Sequence, residues 1–321
     1  MEKVKNNFVW PIVTIICTCI IALSLYLGLT SQPERNIITK LQPWEEEDSV
    51  AVANTPEPNI ITTEELFGDK ADDATVWFKS GEYYSSVANY EEALEAYKQA
   101  IRIKPDYAKA HLGLGFAYGS LGRAQDAIEA YKQAIRIKPK FAEAHLMLGL
   151  TLGNLDRWQD AIEACKQAIR IKPDLAEAHY YLGLAYCNLS RYQDAIESCK
   201  QAIRIKSDYA EAYSELGLAY SSLNRYQEAI EAYKQAIKIK PDSAKAYLGL
   251  GSAYLDLDHN QEAIEAYKQA IRIDPNWVIP HYNLGVTYSN SGDKGSALEE
   301  YKILKTLDIK LANELFKWIY K

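Results

Sequence analysis

The chain has 321 residues, a formal net charge of −7 and a pI near 5.4. That acidic balance argues against a nucleic-acid binder, which usually carries a basic surface. The five cysteines include no Cys-x-x-Cys pair, so neither a disulfide framework nor a zinc motif is indicated.

Residues 1–7 form a short tail. Phe8 to Thr30 is then a run of 23 residues without a charge. As a helix it would be about 35 Å long, enough to cross a hydrocarbon core of about 30 Å. Pro11 falls in its first turn, where a missing N–H is tolerated. The run is longer than the apolar part of a cleaved signal, and Leu27-Gly28-Leu29-Thr30-Ser31 is a poor cleavage site. Neither Cys17 nor Cys19 follows the small residue of a lipoprotein site. The expectation is an uncleaved transmembrane anchor over 8–30. Lys3 and Lys5 before it, against Arg35 and Lys40 after it, mildly favour repeats on the non-cytoplasmic side, periplasmic in a bacterium. Cys165, Cys187 and Cys199 weigh the other way, since an oxidising compartment rarely keeps an odd number of thiols.

Residues 31–73 are acidic, with Glu45-Glu46-Glu47-Asp48 followed by Glu57, Glu64, Glu65, Asp69, Asp72 and Asp73. Pro43, Pro56 and Pro58 interrupt any long helix. The segment reads as a largely disordered, self-repelling spacer, or as an acidic docking segment. Asn36-Ile-Ile-Thr39 and Asn59-Ile-Ile-Thr62 repeat one apolar point, and Thr62-x-x-Glu65 ahead of Leu66-Phe67 has the form of a capping box.

From residue 74 the chain is periodic. Lys-Gln-Ala-Ile-Arg-Ile-Lys recurs word for word at 98–104, 132–138, 166–172 and 200–206, each copy 34 residues after the last. Pro105, Pro139, Pro173, Pro241 and Pro275 keep the same beat, with Ser207 in the one missing place. Leu114-Gly115, Leu148-Gly149, Leu182-Gly183, Leu216-Gly217, Leu250-Gly251 and Leu284-Gly285 share the period, as do Tyr118, Tyr186, Tyr220, Tyr254 and Tyr288. Seven units fit: 74–107, 108–141, 142–175, 176–209, 210–243, 244–277 and a degenerate 278–311.

The pattern aromatic-x2-Leu-Gly-x2-Tyr, then Ala-x3-Tyr, then Pro, resembles the tetratricopeptide repeat (TPR) family. The resemblance implies an all-α fold: a right-handed α-solenoid of seven helix pairs. One unit cannot bury its own apolar face, so each must lean on the next. Asp106, Asp174, Asp208 and Asp242 are placed to cap the first helix of a pair. Asp126, Asp160, Asp194, Glu228 and Glu262 mark the opening of the second, which closes on Lys and Arg in line with the helix dipole. A helical glycine costs roughly 1 kcal/mol, so one in every unit makes sense only if Gly115 and its equivalents let the helices approach closely. Leu307, Leu311, Leu315 and Ile319, with Trp318, form a stripe that predicts a capping helix over 308–321.

His111, His145, His179 and His281 fall at one repeat position and invite a metal reading. Stacked helices lie about 8–10 Å apart, too far for single histidines to share an ion. They read as packing residues, and Cys165 and Cys199, one repeat apart, as buried thiols. Catalysis needs unlike groups converging on one point, whereas copied units supply like groups along a line. The chain is therefore expected to be no enzyme, with no cofactor, no metal and no small-molecule substrate.

Specificity should lie where the copies differ, which is in the first helices. The resemblance implies that their non-core positions line a concave groove. These are Leu112, Phe116, Leu146, Met147, Leu150, Tyr180, Tyr181, Leu184, Leu218, Leu248, Leu255 and Tyr282, flanked by Asn154, Asn188, Asn290 and Asp256. Lys109 and Lys245 stand apart, with Glu143, Glu177 and Glu211 between them, so the basic cluster that grips a C-terminal carboxylate in some relatives is missing. The expected partner is a protein or peptide segment held by apolar anchors, with asparagines bonding its backbone. The expected role is a membrane-tethered scaffold for assembling envelope complexes. A self-associating structural component and a regulatory arm of an enzyme complex stay open.

Overall fold

The computed structural model describes residues 73–321, so the expectations for the tail, the apolar span and the acidic segment to residue 72 lie outside the described residues. The described residues form fifteen α-helices and no strand. None of these helices is long and apolar enough to cross a membrane. They fall into two contact-dense bodies. The first holds α1 (Ala74–Ser86), α2 (Tyr90–Ile103), α3 (Ala108–Ser120), α4 (Ala124–Ile137), α5 (Ala142–Gly153), α6 (Trp158–Ile171) and α7 (Ala176–Asn188). The second holds α8 (Tyr192–Ile205), α9 (Ala210–Ser222), α10 (Tyr226–Ile239), α11 (Ala244–Leu255), α12 (Asn260–Ile273), α13 (Val278–Asn290), α14 (Lys294–Leu307) and α15 (Ile309–Ile319). Within each body a helix packs chiefly on the ones before and after it in sequence, the contact pattern of an α-solenoid.

The two kinds of helix differ in how they are buried. A second helix such as α4 buries Ala127, Ile128, Ala130, Tyr131 and Ala134, a single stripe, and leaves the rest to solvent. A first helix such as α5 is enclosed by helices on both sides and buries nine of its twelve residues. Glycine sets the spacing between them. A Cβ added to Gly115 would sit 2.5 Å from the Tyr131 ring, and one added to Gly251 would sit 2.6 Å from Tyr267. The next unit also presses on the same tyrosine. Gly81 and Gly113 both face Tyr97, and Gly217 and Gly249 both face Tyr233.

The turn inside each unit places one residue in the left-handed region: Ala88, Gly122, Asp156, Ser190, Asn224, Asp258 and Gly292, with φ between 57° and 81°. It closes a Schellman motif. Arg123 N–H donates to the Tyr118 carbonyl at 2.9 Å, and Gly122 N–H donates to Gly119 at 3.1 Å. Arg123 then opens α4, its Nε donating to Asp126 at 2.8 Å while the guanidinium lies 4.5 Å above the Tyr118 ring. Arg225 does the same with Glu228 and Tyr220. The acids that open the second helices therefore act in their first turns, as the dipole favours.

Capping of the first helices differs from the expectation. Asp106, Asp174, Asp208 and Asp242 lie one residue outside the caps, which are Tyr107, Leu175, Tyr209 and Ser243. Each aspartate belongs to the tight turn after the preceding helix and sits too far out to reach the orphan N–H groups. Aspartate side chains do cap three other helices: Asp73 on α1, Asp293 on α14 and Asp308 on α15. Ser207 takes the place that proline holds at the other junctions. The helix before it ends on Ile205 as its equivalents end on Ile171 and Ile239, so proline is not what stops the second helices.

α15 packs across α13 and α14, burying Ala312, Leu315 and Ile319 against Tyr282, Val286 and Leu304. Leu315 presses on Gly285, whose equivalents in earlier units face a side chain of their own second helix.

Candidate functional site

The first-helix residues divide by burial. In the first body, Leu112, Phe116, Leu146, Met147, Leu150 and Tyr181 are buried, Tyr180 and Leu184 are half-buried, and Asn154 and Asn188 are exposed. In the second, Leu248, Leu255 and Tyr282 are buried, Leu218 is half-buried and Asn290 is exposed. The accessible part of the set is thus Tyr180, Leu184, Leu218 and the three asparagines. Tyr180 meets Tyr181 edge-on at 4.9 Å, so a half-buried ring stands on a buried one. Asn188 Nδ2 donates to the Leu184 carbonyl at 2.9 Å, which holds its side chain along the helix.

Aromatics at the start of the second helices cover part of this surface. The second helices open on Tyr90, Trp158, Tyr192 and Tyr226 at the repeat period. The Tyr90 ring meets Phe116 of the next unit edge-on at 6.2 Å, and Trp158 packs on Gly153. Tyr90 thus covers Phe116, and Trp158 covers the last turn of the first helix of its own unit. Their periodicity is visible in the sequence, whereas the first-helix positions they cover are set only by packing between helices.

Charge on the same faces is acidic and partly desolvated. Burial pushes the Asp256 carboxyl up to about 6. Asp256 caps the C-terminal end of α11, and its charge in turn helps raise the Tyr226 phenol, after burial. In the first body Glu82 is raised by burial, with Lys109 and Lys79 acting in the opposite sense.

The histidines act on the turns. His111, His145, His179 and His281 each donate from Nε2 to the carbonyl of the proline six residues earlier, at 2.9–3.2 Å. They pin the inter-unit turn to the next first helix. Only His281 gains a second partner, with Nδ1 2.6 Å from Glu300 Oε2. Burial works against its charge, but the hydrogen bonds to Glu300 and Pro275 and the Glu300 charge outweigh that and raise its pKa. Glu300 holds a position that is Ala130, Ala164, Ser198, Ala232 and Ala266 in earlier units.

Cys165, Cys187 and Cys199 are buried free thiols. Burial pushes Cys165 up to about 12, and burial followed by the Glu215 charge raises Cys199, so neither offers a thiolate near neutral pH. Among the described residues no three His, Cys, Asp or Glu side chains gather as a metal site.

The chain matches the family model described as the cilia and flagella-associated protein 70 C-terminal domain over residues 45–274, and a TPR repeat model over 257–292. No curated protein matches. Among solved structures it is similar to the APC/C hetero-tetramer Cut9-Hcn1, with a TM-score of 0.62 and 23% identity over 70% of this chain. The chain spans only 44% of that one. It is similar to a tetratricopeptide repeat protein from Parabacteroides merdae, with a TM-score of 0.60 and 17% identity over 77% of this chain and 99% of that one. It is also similar to pilF of Pseudomonas aeruginosa, with a TM-score of 0.58 and 19% identity over 66% of this chain and 96% of that one. At these identities the likeness establishes the shared fold.

Proposed function

We propose, from the premise that the chain belongs to the tetratricopeptide repeat family represented by the cilia and flagella-associated protein 70 C-terminal domain, that it is a protein-interaction scaffold and carries no chemistry of its own. Its partner is a peptide or protein segment that sets apolar side chains against Tyr180 and Leu184 of the first body. The exposed Asn154 and Asn188 of that body supply amides to the partner's backbone. The observation that carries this reading is the contrast between nearly invariant second helices and first helices whose accessible residues change from unit to unit. The partly desolvated acids, Asp256 above all, favour a segment that also carries a basic residue.

The finer role is a tethered one. The uncharged run 8–30 is long enough to anchor the chain in a bilayer, with the repeats on the non-cytoplasmic side. Tethering raises the effective concentration toward other membrane partners and suits assembly of envelope complexes. Because Phe116 and Tyr181 are buried, truncating them would disturb packing together with binding. The discriminating variant is Tyr180→Ala combined with Leu184→Ala. It should lose partner capture from native membranes while keeping the wild-type melting temperature. Undiminished capture would remove these residues from the binding surface.

A further inference from the structure

Residues 294–321 carry six lysines against four acids, a net +2 in a chain whose net charge is −7. The surface that α14 and α15 share is correspondingly unlike that of the earlier units. At the position of Tyr301 the earlier units bury their residue, as with Tyr97, Tyr131 and Tyr267, whose rings press on a first-helix glycine. In the seventh unit Leu315 takes that place against Gly285, and Tyr301 is half-buried. Its ring meets Phe316 of α15 at 5.2 Å, and Phe316 meets Tyr320 at 4.6 Å. Phe316 is 42% exposed and Tyr320 61%. Lysines border this row of rings. Lys294, Leu298, Tyr301 and Lys305 share one stripe of α14 by helical spacing. Lys305 lies 5.8 Å from the Tyr301 centroid and Lys294 5.9 Å from that of Tyr320, while Lys321 lies 5.3 Å from that of Trp318. Lys305 stands where each of the six earlier units has isoleucine, from Ile101 to Ile271.

We propose that this face docks on the surface of an anionic lipid bilayer. Tyrosine and tryptophan favour the headgroup layer because one end of the ring system is apolar and the other polar. A lysine beside such a ring lays its methylenes along the apolar layer and holds its ammonium at a lipid phosphate. The charges complement that surface. Glu299 is engaged by Lys302 at 2.7 Å, Glu300 by His281, and Asp308 by the N–H groups of Lys310 and Leu311. Lys294, Lys305, Lys310, Lys317 and Lys321 make no ion pair among the described residues. Glu314, exposed on α15 between Lys310 and Lys317, is outnumbered by them. A protein segment fits this face less well. The Tyr301 and Phe316 rings bridge the furrow between the two helices, so the face offers a ridge and not the groove or sheet edge that captures peptides. Tyr180 and Leu184 belong to the other body, and the proposal does not depend on what they bind.

The test reads amide exchange of 309–320 in the full-length chain reconstituted into vesicles of phosphatidylcholine, alone or mixed with phosphatidylglycerol. An anchor at residues 8–30 would act in both lipids, so the comparison isolates the effect of lipid charge. Exchange should slow about tenfold in the anionic vesicles alone, and the slowing should vanish at high salt. Phe316→Ser with Tyr320→Ser should abolish it, as should Lys305→Gln with Lys317→Gln. All four side chains are exposed, so both variants should keep the wild-type melting temperature. Equal exchange in the two lipids, or slowing retained by either variant, overturns the proposal. So does slowing in lipid-free detergent that grows with protein concentration, which would assign the face to a second copy. A photo-crosslinker at Tyr320 that yields a protein adduct and no lipid adduct in cells also overturns it, and would assign the face to an acidic protein segment.

Discussion

His281 and Glu300 form a buried contact of 2.6 Å, and the second ring nitrogen of His281 is held by the Pro275 carbonyl at 3.0 Å. With acceptors at both nitrogens, the imidazolium is the form this pocket suits. The folded pKa is raised. Its contribution to stability is therefore fully present below the unfolded value of about 6.5 and is lost as pH rises through the folded value. Thermal unfolding of the wild type should weaken across that window, and His281→Gln should flatten the change. Glu300→Ala alone should cost about 3 kcal/mol by leaving a buried cation unpaired. Earlier units supply the rescue. Tyr213 with Ala232, and Tyr247 with Ala266, occupy these two positions. His281→Tyr with Glu300→Ala should bring stability back to within about 1 kcal/mol of wild type, since apolar replacement of a buried ion pair is often neutral.

Asp256 titrates in the opposite sense. Its carboxyl is raised to about 6 by burial, so the folded chain holds a proton that the unfolded chain has released. Stability should fall as pH rises from about 4 to about 6 and stay lower above that range. Asp256→Asn should raise the melting temperature at pH 8 and have little effect at pH 3.5. The upper bound on the gain is on the order of 3 kcal/mol. No gain at pH 8 would mean that the carboxylate is well solvated.

The shared tyrosine predicts a compensation. Tyr97 lies between Gly81 and Gly113, with Cβ approaches of 2.5 Å to each. In the third and fourth units the same two positions are Cys165 and Tyr181, small and large exchanged. Gly113→Tyr should destabilise by about 3 kcal/mol through overpacking. Adding Tyr97→Cys should recover most of that loss, as measured by chemical denaturation. Additive losses would show that the two positions do not share one volume.

Ala88 occupies the left-handed turn position at φ 57°, where Gly122 and Gly292 stand in other units. A β-carbon there costs roughly 1–2 kcal/mol. Ala88→Gly should stabilise the chain by about 1 kcal/mol in urea unfolding, and Gly122→Ala should destabilise it by a similar amount.

Much of the fold was legible because its determinants repeat. Gly115 facing Tyr131 every 34 residues encodes a close contact without reference to anything outside the unit. The candidate surface was less legible, because its exposure is decided between units. Phe116 reads as an inner-face residue on its own helix, but it is roofed by Tyr90, twenty-six positions earlier. The same limit applies to Asp106, whose turn belongs to the junction of two units, and to His111, whose ring serves the Pro105 carbonyl. Glu300 stood out only as the single acid at an alanine position, and its partner lies nineteen residues away.

The scaffold reading is tested most directly by site-specific photo-crosslinking of the full-length chain in cells that express it. The crosslinker would be placed in turn at Tyr180, Leu184 and Leu218, and at the exposed second-helix residues Glu129 and Glu163. Capture of a discrete protein segment from Tyr180 and Leu184, and capture from Leu218 within its own body, with none from the two second-helix sites, is the predicted result. Capture confined to Glu129 and Glu163, or equal at all five sites, would contradict it.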